Sequence, residues 1–410
     1  MYPYSNRSGI RQDAPRLDAP LRIGFFTDVY LPMVNGAVVS IDLLVRELRN
    51  AGHHVSVFAP RFPGFRDNDA EVYRLPSVRY MKLPPIYIAV PGTPRALLKL
   101  RRSQFDILHV HSPLSVGFLA YVLARTKHVP LVYTNHCSIT DYTHYVKFVG
   151  GTRPIRYAAR WFSSTSANLS DRVVVPSAKF DKLLQEQKVH RPIHIIPNGI
   201  DLTNFYASQE TGALRGRLGL GPDHQLLVFV GRVDPEKRID LVIEMFNRVA
   251  PHFPDSHLVI VGDGSARKKL EKQAGSSLHK ERIHFTGMIN RADLPGILHD
   301  GDLFVSATTS ETQCLAMIEA IAAGLPVAAI WDDAFEGILE DGVNGRVAQD
   351  VETFSSVVHD LLADPETRKR YSKNSMELSR NFSVESQVAA LVRLYRKAIS
   401  AQNEALTTSP

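Results

Sequence analysis

Cysteine is nearly absent from this sequence: Cys137 and Cys314 are the two in 410 residues. Two thiols cannot staple a chain of this size, so a disulfide scaffold is excluded and a reducing cytosol is expected. Both read as small buried fillers beside more reactive neighbours. Long apolar runs are missing too. The longest, Pro113–Ala124 and Ala316–Ile330, are short or interrupted by Glu319, whereas a membrane-spanning helix needs about 20 clean apolar residues. Residues 1–20 carry arginine and no hydrophobic stretch, which reads as a disordered tail and not as a secretory signal. No strand-to-helix Gly-x-Gly-x-x-Gly and no Gly-x-Ser-x-Gly elbow occurs, which argues against nicotinamide enzymes and serine hydrolases. Asp67–Asn68–Asp69 and Asp300–Gly301–Asp302 spell Asp-x-Asp, but neither has a third ligand in view, so no metal is assigned.

What is present is an ordinary globular composition, 44% hydrophobic and 22% charged, over a length that calls for two cores. The charge is lopsided. Residues 1–200 hold 26 Lys/Arg against 13 Asp/Glu, and residues 201–410 hold 22 against 29. A basic half joined to an acidic half implies a docking surface for something anionic. No nucleic-acid module is written here, which leaves an anionic lipid leaflet.

One grammar recurs four times: a short apolar run, a polar or glycine-containing loop, an amphipathic helix, another apolar run. Leu21–Phe26 leads through Leu31–Gly36 to a helix near Val38–Asn50, and Asp106–His111 to one near Ser115–Arg125. Leu226–Gly231 leads to one near Ile239–Ala250, and Leu303–Ala307 to one near Gln313–Ala323. Runs this continuously apolar are strands buried on both faces, and their alternation with helices implies parallel sheets. The fold class is therefore α/β, with two doubly wound Rossmann-like domains facing across a cleft. We expect a first domain over residues 21–195, a second over 196–381, a closing helix over 382–403 that packs back across the join, and a tail over 404–410.

Ligands of open parallel sheets sit beyond the carboxyl ends of the strands. Three features converge there. Arg232 and Lys237 lie in the loop GRVDPEK after one strand, two cations suited to a pyrophosphate. Ser310–Gly324, SETQCLAMIEAIAAG, places a helix start near Thr312 or Gln313, whose unpaired amides suit a phosphate. Glu311 stands just before that end and Glu319 two turns inside, a costly position for a carboxylate without a partner.

GRVDPEK followed by SETQCLAMIEAIAAGLPV resembles the nucleotide-sugar half of the retaining glycosyltransferases of family 4, which have the two-domain GT-B fold. The resemblance spans roughly Leu21 to Ala401 and includes the Glu-x7-Glu spacing from Glu311 to Glu319, VGDG (Val261–Gly264) and FTGMI (Phe285–Ile289). It implies that Glu311 contacts donor-sugar hydroxyls, Glu319 the ribose, and Arg232 and Lys237 the diphosphate. It further implies that Thr312, Gln313, Cys314 and Leu315 offer amides and sugar contacts, and that Thr286, Met288 and Ile289 lie near the base. TDVYLPMVNGA (Thr27–Ala37) and TNHCSITDYTHY (Thr134–Tyr145) are similar to the bacterial enzymes that glucosylate diacylglycerol. From that likeness Asn35 and Gly36 approach the donor, His136 contacts the transferred sugar, and Asp141 and Tyr142 lie toward the acceptor.

The basic half then has a use. Arg95, Lys99 and Arg102 share one helical face, as do Arg153, Arg156 and Arg160 beside Tyr157 and Trp161. Such faces suit anionic headgroups, each cation contributing about 1 kcal/mol near the surface. The sequence thus reads as a retaining hexosyltransferase that moves a sugar, glucose by the narrower resemblance, from a UDP-sugar or GDP-sugar to a membrane lipid acceptor such as diacylglycerol, with no metal or other cofactor. Its expected place is cytoplasmic, peripheral on the inner face of the membrane. A GDP-mannose-type mannosyltransferase, a soluble small-acceptor transferase and a nucleotide-sugar epimerase are the rival readings.

Overall fold

In the computed structural model the described residues are 19–33, 36–81, 86–90, 100–136, 153–207 and 212–408. Two parallel sheets organise them. The first has seven strands in the order Val72–Leu75, His54–Pro60, Arg22–Phe26, Ile107–Val110, Leu131–Thr134, Arg172–Val175 and Ile193–Ile195. The second has six, in the order Ile283–Gly287, Ser256–Val261, Gln225–Val230, Leu303–Ser306, Val327–Ile330 and Gly345–Ala348. In both, the chain steps outward for three strands and then returns to pair on the far side of its first strand. This reversal opens a crevice at the carboxyl ends, where the loops after the two central strands part to opposite faces.

Residue type explains the layering. Ser256–Val261 is buried at every position, as β-branched and leucine side chains facing helices on both sides must be. The helix Ile239–Val249 turns Ile239, Val242, Ile243, Phe246 and Val249 inward at three- and four-residue spacing. Each sheet accordingly carries a hydrophobic core on either face. An antiparallel hairpin, Ser77–Met81 with Ile86–Ala89, lies outside both sheets and was not legible from the repeating grammar.

The closing helix, Val384–Thr408, belongs to the first domain's core although it follows the second domain in sequence. Val388, Leu391, Leu394, Tyr395 and Ala398 pack with Leu21, Ile23, Ile41 and Leu44. It continues past residue 403, so the expected tail from 404 is helical as far as Thr408. Where the chain leaves and re-enters the first domain, the two crossings touch. Ile200 and Ser383 form a parallel bridge, and the Gly199 amide donates to Gln387 Oε1 at 2.9 Å.

Gly199 is fixed by this contact, since a Cβ there would lie 2.5 Å from Val384 Cα and 2.7 Å from Ser383 O. Both obstacles are backbone. Gly199→Ala is expected to cost about 1–3 kcal/mol of stability by overpacking, read as a lower thermal midpoint; an unchanged midpoint would contradict the crossing.

Candidate functional site

The second sheet reverses between Gln225–Val230 and Leu303–Ser306, and the loops after these two neighbouring strands carry the expected cations and acid. Lys237 Nζ donates to Glu311 Oε1 at 2.5 Å, with side chains only 14% and 15% exposed. Arg232 sits beside them and pairs with Asp234 at 2.7 Å and Glu236 at 3.1 Å. Asp234 is itself anchored, accepting from the Ser265 amide and hydroxyl, both at 2.8 Å. Burial alone would raise its pKa, but those two donors and the charges of Arg232 and Lys237 hold it below the ordinary carboxylate value. The VGDG glycines have a packing reason. A Cβ on Gly262, whose φ is +136°, would fall 1.9 Å from Gly231 O.

The helix beyond Glu311 begins later than the sequence led us to expect. It runs Leu315–Ala322 with Cys314 as its N-cap, so Thr312 and Gln313 belong to the preceding turn. Tertiary contacts impose the shift. The Gln313 side chain is buried against the domain join, where its Oε1 accepts from Asn198 N at 2.8 Å and Nδ2 at 2.9 Å. That amide is therefore committed to Asn198 and does not face a sugar. Thr312 O accepts from Ser177 Oγ at 2.7 Å, and Ser40 Oγ donates to Asn198 Oδ1 at 3.1 Å. Lys179 reaches across to the buried Asp332 at 2.7 Å. These contacts hold the two domains against each other around the cleft. Cys314 is buried, and its thiol is pushed well up by that burial and by Glu311.

Glu319 lies within the helix core, 3% exposed, and Arg291 Nη2 donates to its Oε1 at 2.5 Å. Burial raises its pKa, and the Arg291 charge works against that rise. Thr286, next to last in its strand, is half-buried with its hydroxyl donating to Gly287 O, Ile289 packs on the core, and Met288 is exposed.

From the first domain, Gly36 opens the helix Gly36–Asn50 and faces Leu315, whose Cδ1 would lie 3.7 Å from a Cβ at Gly36. His136 follows the strand Leu131–Thr134, and its Nε2 pairs with His111 Nδ1 at 2.9 Å. Behind that pair His109 bonds Tyr395 Oη through Nδ1 and Thr134 Oγ1 through Nε2, each at 2.6 Å. Burial lowers all three histidines well below their ordinary value, His136 to about 4, so the array is neutral. Asp28, also buried, accepts from Ser112, Ser115 and the Val116 amide, and so ties the loop after the strand Arg22–Phe26 to the start of the helix Ser115–Lys127.

Asn35, Asp141, Tyr142, Arg95 and Lys99 lie outside the described residues. Arg153 and Arg156 lie on the helix Arg153–Leu169; Arg160 and Arg102 are exposed. Tyr157 and Trp161, which could have been core, are 74% and 61% exposed. The helix Ser115–Lys127 packs beside theirs through Tyr121 Oη to Ser166 O and turns Phe118, Val122 and Arg125 outward, continuing from exposed Leu114. Sequence reading missed this stripe, His109, His111, Asp28, Asn198 and Arg291. The all-round apolar character of Pro113–Ala124 was the one signal available for the stripe. Both Asp-x-Asp pairs have structural employment: Asp67 and Asp69 pair with Arg74 and Arg49, Asp300 caps the helix Ala213–Leu218, and Asp302 pairs with Arg215. Among the described residues no helix is long and apolar enough to cross a membrane.

The chain matches the family models Glycosyltransferase Family 4 over residues 34–204 and Glycosyl transferases group 1 over residues 211–378. It is 32% identical to an alpha-monoglucosyldiacylglycerol synthase of Acholeplasma laidlawii, an alignment covering 94% of this chain and 99% of that one. It is likewise 32% identical to a GDP-mannose-dependent alpha-mannosyltransferase of Mycobacterium tuberculosis, over 75% of this chain and 79% of that one. Among solved structures, sucrose-phosphate synthase from Thermosynechococcus elongatus superposes with a TM-score of 0.74 at 20% identity, over 93% of this chain and 100% of that one. The two-domain architecture is the GT-B fold.

The neutral histidine array makes stability depend on pH. An unfolded chain takes up protons at these positions once pH falls below about 6.5, while the folded array refuses them. The contribution is therefore complete above that value and drains away as pH falls toward about 4, where His136 itself titrates. By pH 5.5 the loss is on the order of 1 kcal/mol per histidine. The thermal midpoint should drop between pH 7.5 and 5.5, and His136→Gln should flatten that slope by up to one proton. An unchanged slope in the variant would refute the neutral assignment.

Proposed function

Because this chain is a glycosyltransferase of family 4, we propose that it moves glucose from UDP-glucose to a diacylglycerol-type membrane lipid with retention of anomeric configuration. The likeness to a glucosyldiacylglycerol synthase along nearly the whole chain carries this reading, and the convergence of Lys237, Arg232 and Glu311 on one crevice supports it. In this scheme the donor's diphosphate takes over Lys237 and Arg232 from their carboxylates. Glu311, released, accepts from hydroxyls of the sugar, and Glu319 receives the ribose. His136 and Gly36 cover the sugar from the first domain and keep water out. The bond from C1 to the diphosphate then breaks while the acceptor oxygen bonds C1 from the same face. The acceptor's proton passes to a diphosphate oxygen. Catalysis is positioning plus stabilisation of the departing charge, which Lys237, Arg232 and the amides before Leu315 supply without a metal.

The lipid acceptor fits the outer surface of the first domain. Leu114, Phe118, Val122, Tyr157 and Trp161 are exposed on two adjoining helices bordered by Arg125 and Arg160. Large apolar side chains so placed stabilise insertion into a headgroup layer, roughly 1.5–3 kcal/mol each if fully buried. The arginines favour an anionic leaflet and set the orientation, with the enzyme peripheral on the cytoplasmic side. A mannosyl donor carried by GDP is the second reading, favoured by an equally identical mannosyltransferase relative.

A turnover assay with UDP- and GDP-sugars and a lipid extract tests the chemistry. UDP-glucose is the expected donor, EDTA should change nothing, and Lys237→Ala should cost at least about 100-fold in turnover. Use of GDP-mannose instead would select the second reading, and near-native turnover of a folded Lys237→Ala protein would remove Lys237 from the site. Sedimentation with vesicles tests the surface. Binding should rise with the anionic lipid fraction, fall with salt and weaken in Phe118→Ser and Trp161→Ser; indifference to all three would remove the membrane contact.

A further inference from the structure

We infer that Arg291 is a positioning residue for the donor's ribose, its guanidinium holding the buried Glu319 carboxylate ready to accept two vicinal hydroxyls. The inference rests on the reading above that Glu319 faces the ribose. Arg291 stands at the first position of the short turn Arg291–Asp293, which Asn290 caps by accepting from the Ala292 amide. This turn follows the Thr286–Ile289 segment, so the arginine comes from the wall expected beside the base. Its side chain is 54% exposed, whereas that of Glu319 is 5% exposed. One end of the pair is thus wet and the other sealed, as at the mouth of a pocket. Arg291 Nη2 engages Oε1 alone at 2.5 Å, and Oε2 takes no hydrogen bond from the described residues. A carboxylate with one oxygen pinned and one uncommitted can accept from a cis-diol without reorienting.

The electrostatic surroundings make Arg291 necessary for that state. Burial disfavours the charge on Glu319, and Arg291 is the cation that offsets it. The helices packed against Leu315–Ala322 turn Phe205, Leu294, Ile297, Leu298 and Ser375 inward, all neutral, and the Cys314 thiol at the helix start stays protonated. Without Arg291 the rise that burial imposes on the Glu319 pKa would go unopposed, favouring the protonated carboxyl, which has less acceptor capacity and regains it as pH rises.

Calorimetric titration with UDP from pH 7 to 9, each variant expressed relative to the unmodified protein at the same pH, tests this. Arg291→Ala should bind UDP about 10-fold more weakly at pH 7, with the deficit shrinking toward pH 9. Arg291→Gln should show the same pH-dependent deficit, and Arg291→Lys should largely restore affinity at every pH. Glu319→Gln should weaken binding by a similar factor at all pH values. If Glu319→Gln weakens binding while Arg291→Ala does not, or does so equally at every pH, the positioning role is wrong and the ribose reading stands. If Glu319→Gln binds UDP normally, the ribose reading fails and the inference with it.

Discussion

The contact between Lys237 and Glu311 is a consequence of strand order. The two residues are 74 positions apart, and they meet because the sheet reverses between the strands that precede them. Each side chain is largely removed from water, and an unpaired charge in that state would cost several kcal/mol. The pair solves a problem that the fold creates, since each side chain is the other's partner at 2.5 Å. The neighbouring residues of the crevice are arranged around it: Asp234 holds Arg232 alongside, and Ser310 Oγ reaches the Glu236 carbonyl to join the two loops.

That geometry is coupled to the position of the first domain through Gln313, two residues beyond Glu311. Its amide exchanges hydrogen bonds with Asn198 on the segment linking the domains, and Asn198 in turn receives Ser40 from the helix that begins at Gly36. Buried amide bonds contribute only about 1 kcal/mol each, but leaving Asn198 or Gln313 unpaired would cost about 1–3 kcal/mol. Separation of the domains at this point is therefore disfavoured unless water replaces both partners. The closing helix adds an apolar restraint, since it completes a core of the first domain after the chain has left the second.

Much of this was legible in the sequence, for identifiable reasons. LLVFV and LVIV are continuous apolar runs bounded by glycine, and such runs have few alternatives to a buried parallel strand. Arg232, Lys237 and Glu311 follow such runs directly, so locating the strands located them. What escaped depends on tertiary docking. Gln313 looked helical, yet Asn198, 115 residues away, draws it into a turn. His109 and His111 occupy alternate positions around a strand end, and nothing local says that Tyr395 and His136 will pair with them. The pairing of Glu319 with Arg291 is of the same kind. Tyr157 and Trp161 were ambiguous because an aromatic residue on a basic helix suits a core and an interface equally, and only the packing of the helix decides.

The charge imbalance between the halves acquires a mechanical meaning in this arrangement. In the proposed scheme the half that receives the anionic diphosphate is the acidic one, whose net charge would by itself oppose binding. Instead each cation at the crevice is already matched to an internal carboxylate, Lys237 to Glu311 and Arg232 to Asp234 and Glu236. An entering diphosphate must outcompete these partners, and a bare phosphate offers no hydroxyls to occupy the carboxylate it displaces. A sugar diphosphate does, because its hydroxyls can satisfy Glu311 once Lys237 has moved to the phosphates. Under that scheme the internal ion pairs would favour the complete donor over its fragments, through the cost of leaving a buried carboxylate unpaired. In the basic half Arg102, Arg125 and Arg160 are exposed on helices, where the proposed membrane reading would make long-range attraction to an anionic surface effective.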